Sequence, residues 1–362
     1  MKKAIINFSC FIKEQPFVRS MRIRWARKKM LDTSNLDSII KLYRGDLNLD
    51  KLNRLKKDMI QTAKQYHFRF DEYLCYRFDE RTQPERDEFV PNEERVIFCE
   101  NVNKARNLAL FENKAETAEI YKKYYKRDFC AVYGKKDYEK LSEFVSKHPR
   151  FIVKPINESC GDGVKIIDLH DSVDKFKELN SLINDYCHGI LNGFIAEQLI
   201  VQSNDLGQFH PSSVNTIRIT TLKMDDETVI IHPFLKLGRG GKVVDNGGQG
   251  GLLCLIEPTE GIITNVADEY GVTYTVHPDS KLPIVGFKMP HWNEAISLAK
   301  ELAEITPDNR YTGWDFALTD GGWVMVEGNA RGQFIGWQLT SQIGFKKEAN
   351  SYLERLNIAP LK

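Results

Sequence analysis

The sequence predicts an α+β protein in which a mostly helical N-terminal region, residues 1–105, precedes two α+β subdomains, residues 106–200 and 201–362. Three observations predict it. The length of 362 residues exceeds what one hydrophobic core usually serves, so two or three packed subdomains are expected. Up to about residue 105 the chain is charged and apolar residues recur at helical spacing. From Arg106 onward short apolar runs, helical stretches and glycine-rich turns alternate nearly to the end.

Taken in order, Leu52, Leu55, Met59 and Ala63 mark one face of an amphipathic helix that ends near Tyr66. Phe151–Val153 and Val164–Ile167 read as strands bracketing the loop Asn157–Gly163. Phe194–Ile200, Thr216–Leu222, Val229–Leu235 and Leu252–Ile256 are further strands. Trp292, Ala295, Ile296, Ala299, Leu302 and Ala303 line a helix that stops before Pro307. Two strands, Trp314–Leu318 and Trp323–Val326, then form a hairpin around Asp320-Gly321-Gly322.

Composition narrows the function by exclusion. A formal net charge of +1 provides no bulk field for a nucleic-acid partner. Cys10, Cys75, Cys99, Cys130, Cys160, Cys187 and Cys254 are scattered singly, which suggests neither a disulfide framework nor a zinc site and fits a reducing cytoplasm. Ala4–Ile12 follows two lysines as in a signal peptide, but Asn7 and Ser9 interrupt it and no small-residue cleavage site follows. No apolar run reaches the roughly twenty residues of a spanning helix. Arg19–Lys29 mixes Arg22, Arg24, Arg27, Lys28 and Lys29 with Met21, Ile23 and Trp25. It reads as a solvated charged face, as a weak peripheral contact with an anionic membrane or as a site for a polyanionic carrier.

Two patterns carry chemistry. In a strand, residues two apart face the same way, so Glu327 and Asn329 present oxygen-bearing side chains side by side. A three-residue loop at Asp320–Gly322 places Asp315 opposite Glu327, whereas a two-residue turn at Asp320-Gly321 places it opposite Val326; the first register is expected, because Gly322 offers the bulged turn although Asp-Gly favours the tight one. On a shared face, two carboxylates and an amide oxygen suit Mg²⁺, with Mn²⁺ as an alternative. The competing reading is a polar hairpin facing solvent. In the second pattern, Lys154 ends an apolar strand and is followed by Pro155 and the loop Glu158-Ser159-Cys160-Gly161-Asp162-Gly163. Such a loop can close its backbone N–H groups over phosphates, but taken alone the pattern favours a surface hairpin, which would also contain Gly-Asp-Gly. No P-loop, Rossmann or protein-kinase motif is present.

Asn113-Lys114, Lys154-Pro155, Ala196-Glu197-Gln198, Ser213–Arg218, Asp245-Asn246 with Gly250-Gly251, Gly313-Trp314-Asp315 and Glu327-Gly328-Asn329 occur in that order. The series resembles the sugar-transfer-associated ATP-grasp proteins and the related teichuronopeptide-type proteins, over residues 105 to 340. The resemblance implies an ATP-grasp fold, two α+β subdomains gripping ATP. It implies that Lys114 and Lys154 contact the α- and β-phosphates, and that Ser159–Gly163, with Ser159, Gly161 and Gly163, form a lid. Ala196, Glu197, Gln198 and Leu199 become the hinge that reads adenine. Asp315, Glu327 and Asn329 hold Mg²⁺, while Arg218, with Arg239 as a second cation, steadies the γ-phosphate or the transferred group. Cys160 and Asp162 depart from a plainer Ser/Gly loop, and no acidic ribose-binding residue follows the hinge. Lys114, Glu197 and Arg218 also have plain structural readings, as a helix-surface lysine, a solvent-facing strand residue and an ion-pair partner.

By the same resemblance the reaction is a carboxylate–amine ligation through an acyl phosphate, yielding an amide and ADP. The implied substrates are a small-molecule or sugar-linked carboxylate of a surface polysaccharide precursor and an amine. A small-molecule kinase and a nucleotide-binding regulatory protein are the alternative readings. Phosphoryl transfer asks mainly for positioning and charge neutralisation, consistent with the absence of a nucleophile triad.

Overall fold

The computed structural model describes residues 16–157, 163–188, 193–242, 245 and 250–361. Two antiparallel sheets organise the chain after residue 105. The smaller contains β1 (Phe129–Val132), β2 (Arg150–Pro155), β3 (Lys165–Asp168) and β4 (Phe194–Gln198), in the order β1-β4-β2-β3. The larger contains β5 (Thr216–Lys223), β6 (Thr228–Leu237), β7 (Leu252–Ile256), β8 (Ile263–Ala267), β9 (Tyr311–Thr319) and β10 (Gly322–Asn329), in the order β10-β9-β5-β6-β7-β8. β1 and β8 were not among the expected strands. β4 stops at Gln198, two residues short of the expected Ile200.

Each sheet has one face sealed by helices. On the smaller, Val132, Phe151, Val153, Phe194 and Ala196 pack against Leu141, Phe144 and Val145 of helix Tyr138–Lys147 and Leu179, Leu182 and Ile183 of helix Lys175–Tyr186. On the larger, Ile217, Ile219, Leu235, Leu237, Trp314, Phe316, Trp323 and Met325 share a core with Ala295, Ala299, Leu302 and Ala303 of helix Trp292–Ile305. Because strand side chains alternate, Thr216, Arg218, Lys236 and Asp315 turn to the opposite face of the larger sheet.

The N-terminal helices dock onto that sheet. Helix Leu49–Tyr66 follows the spacing in the sequence, with Leu55, Met59 and Ala63 buried, Asn48 capping its start through Lys51 N–H, and His67 ending it in the left-handed region. Phe98, Cys99 and Val102 of helix Asn92–Val102 share a core with Leu222, Ile231, Tyr311 and Phe334. Buried Asn103 donates from its amide to the carbonyls of Tyr311 and Ala330, at 2.9 Å each, and accepts from Tyr311 N–H at 2.8 Å. The described cysteines Cys75, Cys99, Cys130, Cys187 and Cys254 are free.

The β9–β10 hairpin corrects one expectation. Thr319 pairs with Gly322, so the turn is the two-residue loop Asp320-Gly321, with Gly322 at φ +90°. Continued regularly, that register would place Val326 opposite Asp315, and Glu327 would follow Trp323 and Met325 onto the apolar core face. A bulge between Met325 and Glu327 adds one residue instead. Beyond it Glu327 pairs with Asp315 and Asn329 with Gly313. The shift comes from strand geometry and not from the turn, because one extra residue reverses the facing of everything after it.

Candidate functional site

On the open face of the larger sheet, charged side chains converge from four strands. Arg218 on β5 donates from Nε to Asp315 Oδ1 and from its second terminal nitrogen to Asp315 Oδ2 at 2.6 Å. Lys236 on β6 donates to the same Oδ2 at 3.0 Å. Gly313 lets this happen. A Cβ there would lie 2.8 Å from Arg218 Cδ, across the path of the guanidinium stem. Asp315 is 2% exposed in its side chain. Burial pushes its carboxyl up, but Arg218 and Lys236 outweigh burial and hold it well below the usual carboxylate range. Lys236 is raised against its own burial by Asp245 and Asp315. Buried Asp245 accepts from Thr216 N–H at 2.9 Å and from its hydroxyl at 2.5 Å, and burial raises its carboxyl.

Glu327 differs from these neighbours. Its side chain is 38% exposed, and Arg218 approaches it no closer than 4.0 Å. Asn329 Nδ2 donates to Glu327 Oε1 at 3.0 Å, and no described residue donates to Glu327 Oε2 or to the Asn329 amide oxygen. Two carboxylates and an amide oxygen on one face are the hard donors that Mg²⁺ or Mn²⁺ takes. Among the described residues no group of three His, Cys, Asp or Glu side chains gathers into a complete cage. Glu327 Oε2 and the Asn329 amide oxygen are open donors, whereas both Asp315 oxygens accept from Arg218 and Lys236, so a cation here would displace part of that contact and complete its shell with phosphate oxygens and water.

A second charged group lies on the smaller sheet. Glu197 Oε2 accepts from Lys154 Nζ at 3.1 Å and from Arg127 at 2.9 and 2.6 Å. Burial pushes the Glu197 carboxyl up, and the two cations overcome it and lower it. Arg127 also reaches the other sheet. It donates to Met325 O at 2.6 Å and to Val326 O at 3.2 Å, the carbonyls at the bulge that turns Glu327 toward Asp315. One buried guanidinium thus joins the strand bearing Lys154's partner to the backbone that aims Glu327.

The remaining sequence-derived residues fall as follows. Lys114 opens helix Lys114–Ile120, and its N–H donates to Ile156 O at 3.1 Å, beside the end of β2. Ser159 and Gly161 lie outside the described residues. Gly163 takes φ +71°, and its carbonyl accepts from the Tyr186 hydroxyl at 2.6 Å. The backbones of Ala196 and Glu197 pair with both β1 and β2, and Gln198 N–H donates to Asp128 O. Leu199 lies beyond the last paired residue. The Glu197 carboxylate is buried and paired through Oε2, so it is not a solvent-facing residue. Arg239 is not brought to the carboxylates. It bonds Gly250 O, the Tyr274 hydroxyl at 2.8 Å, Glu269 at 3.2 Å and Asp268 at 3.3 Å.

Lys236 and Arg127 were not found in the sequence. Lys236 left a signal, being a lone charge in the apolar run Phe234-Leu235-Lys236-Leu237, where burial demands a partner. Arg127 left none among its charged neighbours.

The ordered series of motifs, the two sheets and the Asp315–Glu327–Asn329 face coincide with a match between residues 93–353 and the model of the sugar-transfer associated ATP-grasp family. The chain belongs to that family. Its α+β architecture is accordingly the ATP-grasp fold. Among solved structures it is similar to the ADP complex of N5-carboxyaminoimidazole ribonucleotide synthetase, with TM-score 0.42 and 12% identity over 72% of this chain and 55% of that one. It is also similar to the ATP-grasp ligase PsnB complexed with minimal precursor, with TM-score 0.42 and 11% identity over 70% and 63%. A third is D-alanine-D-alanine ligase from Helicobacter pylori, with TM-score 0.39 and 14% identity over 71% and 63%. The chain spans between about half and two thirds of the length of these solved chains. No curated protein matches it. No helix among the described residues is long and apolar enough to cross a membrane.

Proposed function

We propose that this family member is an ATP- and Mg²⁺-dependent carboxylate–amine ligase working through an acyl phosphate. The observation that carries the reading is the open Glu327–Asn329 pair beside the closed Asp315–Arg218–Lys236 cluster, with Lys154 on the smaller sheet. Asp315, Glu327 and Asn329 would hold Mg²⁺, which would neutralise phosphate charge. Lys154, which has Glu197 as its partner in the described structure, would exchange part of that contact for a nucleotide phosphate, with Lys114 close to the same strand end. Arg218 and Lys236 would balance charge as it spreads over the transferred phosphoryl oxygens.

In the first step a carboxylate oxygen of the acceptor attacks the γ-phosphorus and ADP leaves. In the second, the amine attacks the acyl carbon, phosphate leaves with the bonding pair, and the amine gives up one proton. The substrates we assign are a carboxylate of a surface polysaccharide or glycoconjugate precursor and a small amine. Hydroxylamine tests the chemistry directly. With Mg·ATP and a panel of sugar acids, a hydroxamate formed in step with ADP is expected. ADP release with a stable phosphomonoester and no hydroxamate would replace the ligase with a kinase.

A further inference from the structure

The helix Pro16–Met30 stands apart from the rest of the surface in charge and in what it leaves uncovered. Residues 1–31 contain nine of the chain's 51 Lys and Arg but only Glu14 of its 50 Asp and Glu, so the remainder of a chain with net charge +1 is acidic overall. Within the helix there is no acidic residue. Its inner side is fastened to helix Asn92–Val102, with Arg27 forking onto Glu93 at 2.5 and 2.9 Å and Arg22 reaching Glu100 at 3.4 Å. Those bonds fix which side looks outward.

The outward side carries an apolar row with basic residues among and beside it. Phe17, Met21 and Trp25 follow at four-residue steps, hence one above another on a single face, and are 74%, 54% and 68% exposed. Arg24, Lys28 and Lys29 are exposed beside them and form no ion pair with any described residue, although Lys29 Nζ lies 5.7 Å from the Trp25 ring centroid. The Arg19 side chain lies outside the described part. Three large apolar side chains in a row are costly to leave in water, and Phe and Met give nothing to a polyanion that is merely charged. A surface that is apolar at shallow depth and anionic at its face satisfies both parts of the helix. Lysine and arginine stems lie along the apolar boundary while their charges stay with headgroups, and tryptophan suits that boundary.

We infer that helix Pro16–Met30 is a docking surface for an anionic lipid bilayer, with Phe17, Met21 and Trp25 entering the headgroup boundary and Arg24, Lys28 and Lys29 meeting lipid phosphates. The helix lies on the membrane and does not cross it. The acidic remainder of the chain orients the molecule by repulsion, keeping this helix toward the bilayer and the bulk of the protein away.

The full chain is tested by sedimentation with phosphatidylcholine vesicles and with vesicles that also contain phosphatidylglycerol. Binding to the mixed vesicles, at least about tenfold tighter than to neutral ones at low salt and lost at high salt, is expected. Brominated lipid should quench Trp25, because Trp292, Trp314 and Trp323 are buried and the partly buried Trp337 is packed on His232 and Phe345, and the Trp25→Phe variant should lose that quenching. Phe17→Ser with Trp25→Ser, and separately Lys28→Glu with Lys29→Glu, should each abolish sedimentation while leaving thermal melting and nucleotide binding unchanged. Equal binding by neutral vesicles, or full binding by both double variants, would overturn the inference. Retention of an RNA oligonucleotide without vesicle binding would overturn it as well, since the surface would then serve a nucleic acid.

Discussion

The two charged clusters, one on each sheet, share a design and differ in one residue. Around Glu197, a single buried carboxylate serves Lys154 and Arg127, with all three bonds ending on Oε2. Around Asp315, a single buried carboxylate again serves two cations, Arg218 and Lys236. Glu327 is then added at the edge, half-exposed and bonded by only one neighbour through Oε1. In both places two cations share one buried carboxylate. An accessible carboxylate next to it is the part that has capacity for something else.

The largest effect should come from opening a closed cluster. Asp315→Asn leaves Arg218 and Lys236 buried without their counter-charge, and a loss of about 3–5 kcal/mol in unfolding free energy is expected by denaturant titration. The pH dependence sharpens the point. Because the Asp315 carboxyl is depressed on folding, its contribution is fully present above its unfolded value near about 4 and is lost as pH falls below that. Lys236 is raised, so its share is present below its unfolded value near about 10.4 and is lost only as pH rises through a still higher folded value. The gap between wild type and Asp315→Asn should therefore stay level from about pH 5 to pH 9 and close in acid. A gap that closes near neutrality would break the claim that the cluster is locked.

Glu327→Gln should do the opposite. Stability should change by no more than about 0.5 kcal/mol, because the side chain is partly exposed and weakly bonded, while turnover falls by about 10²–10³-fold. Steady-state kinetics beside a melt decides it, and a variant that loses stability but keeps turnover would make the two clusters alike. Lys154→Ala should weaken nucleotide affinity by about 10–100-fold in calorimetry, the worth of one charge-assisted hydrogen bond to phosphate. Unchanged affinity would leave Lys154 as the structural partner of Glu197 alone.

The smallest expected effect tests the link between the clusters. Arg127→Lys keeps a positive charge near Glu197 but cannot fork onto that carboxylate and onto Met325 and Val326 together. Turnover should fall by about tenfold with nucleotide affinity nearly kept, because the bulge that aims Glu327 loosens while Lys154 stays in place. Loss of affinity at unchanged turnover would show that Arg127 supports only its own sheet.

Local pattern alone located most of the strands, two of the helices and the order of the motifs. Apolar spacing marked helices Leu49–Tyr66 and Trp292–Ile305, and the runs at β2, β5, β6 and β7 were long and apolar enough to read as strands. Those signals are local, since a period of two or 3.6 is written in neighbouring residues. The sequence also named Asp315, Glu327 and Asn329 as a candidate set and predicted Asp315 opposite Glu327, but through a three-residue turn at Gly322 that the structure does not have. Only the tertiary structure decided it, through a bulge at Val326 held by Arg127 from the other sheet, a contact between residues some 200 apart. The pairing of Glu197 with Lys154, the capture of Asp315 by Lys236 and the removal of Arg239 to Asp268 and Glu269 were settled in the same way. A strand's own residues fix which side chains alternate, but a buried charge takes the nearest opposite charge that folding supplies, and that partner lies on another strand.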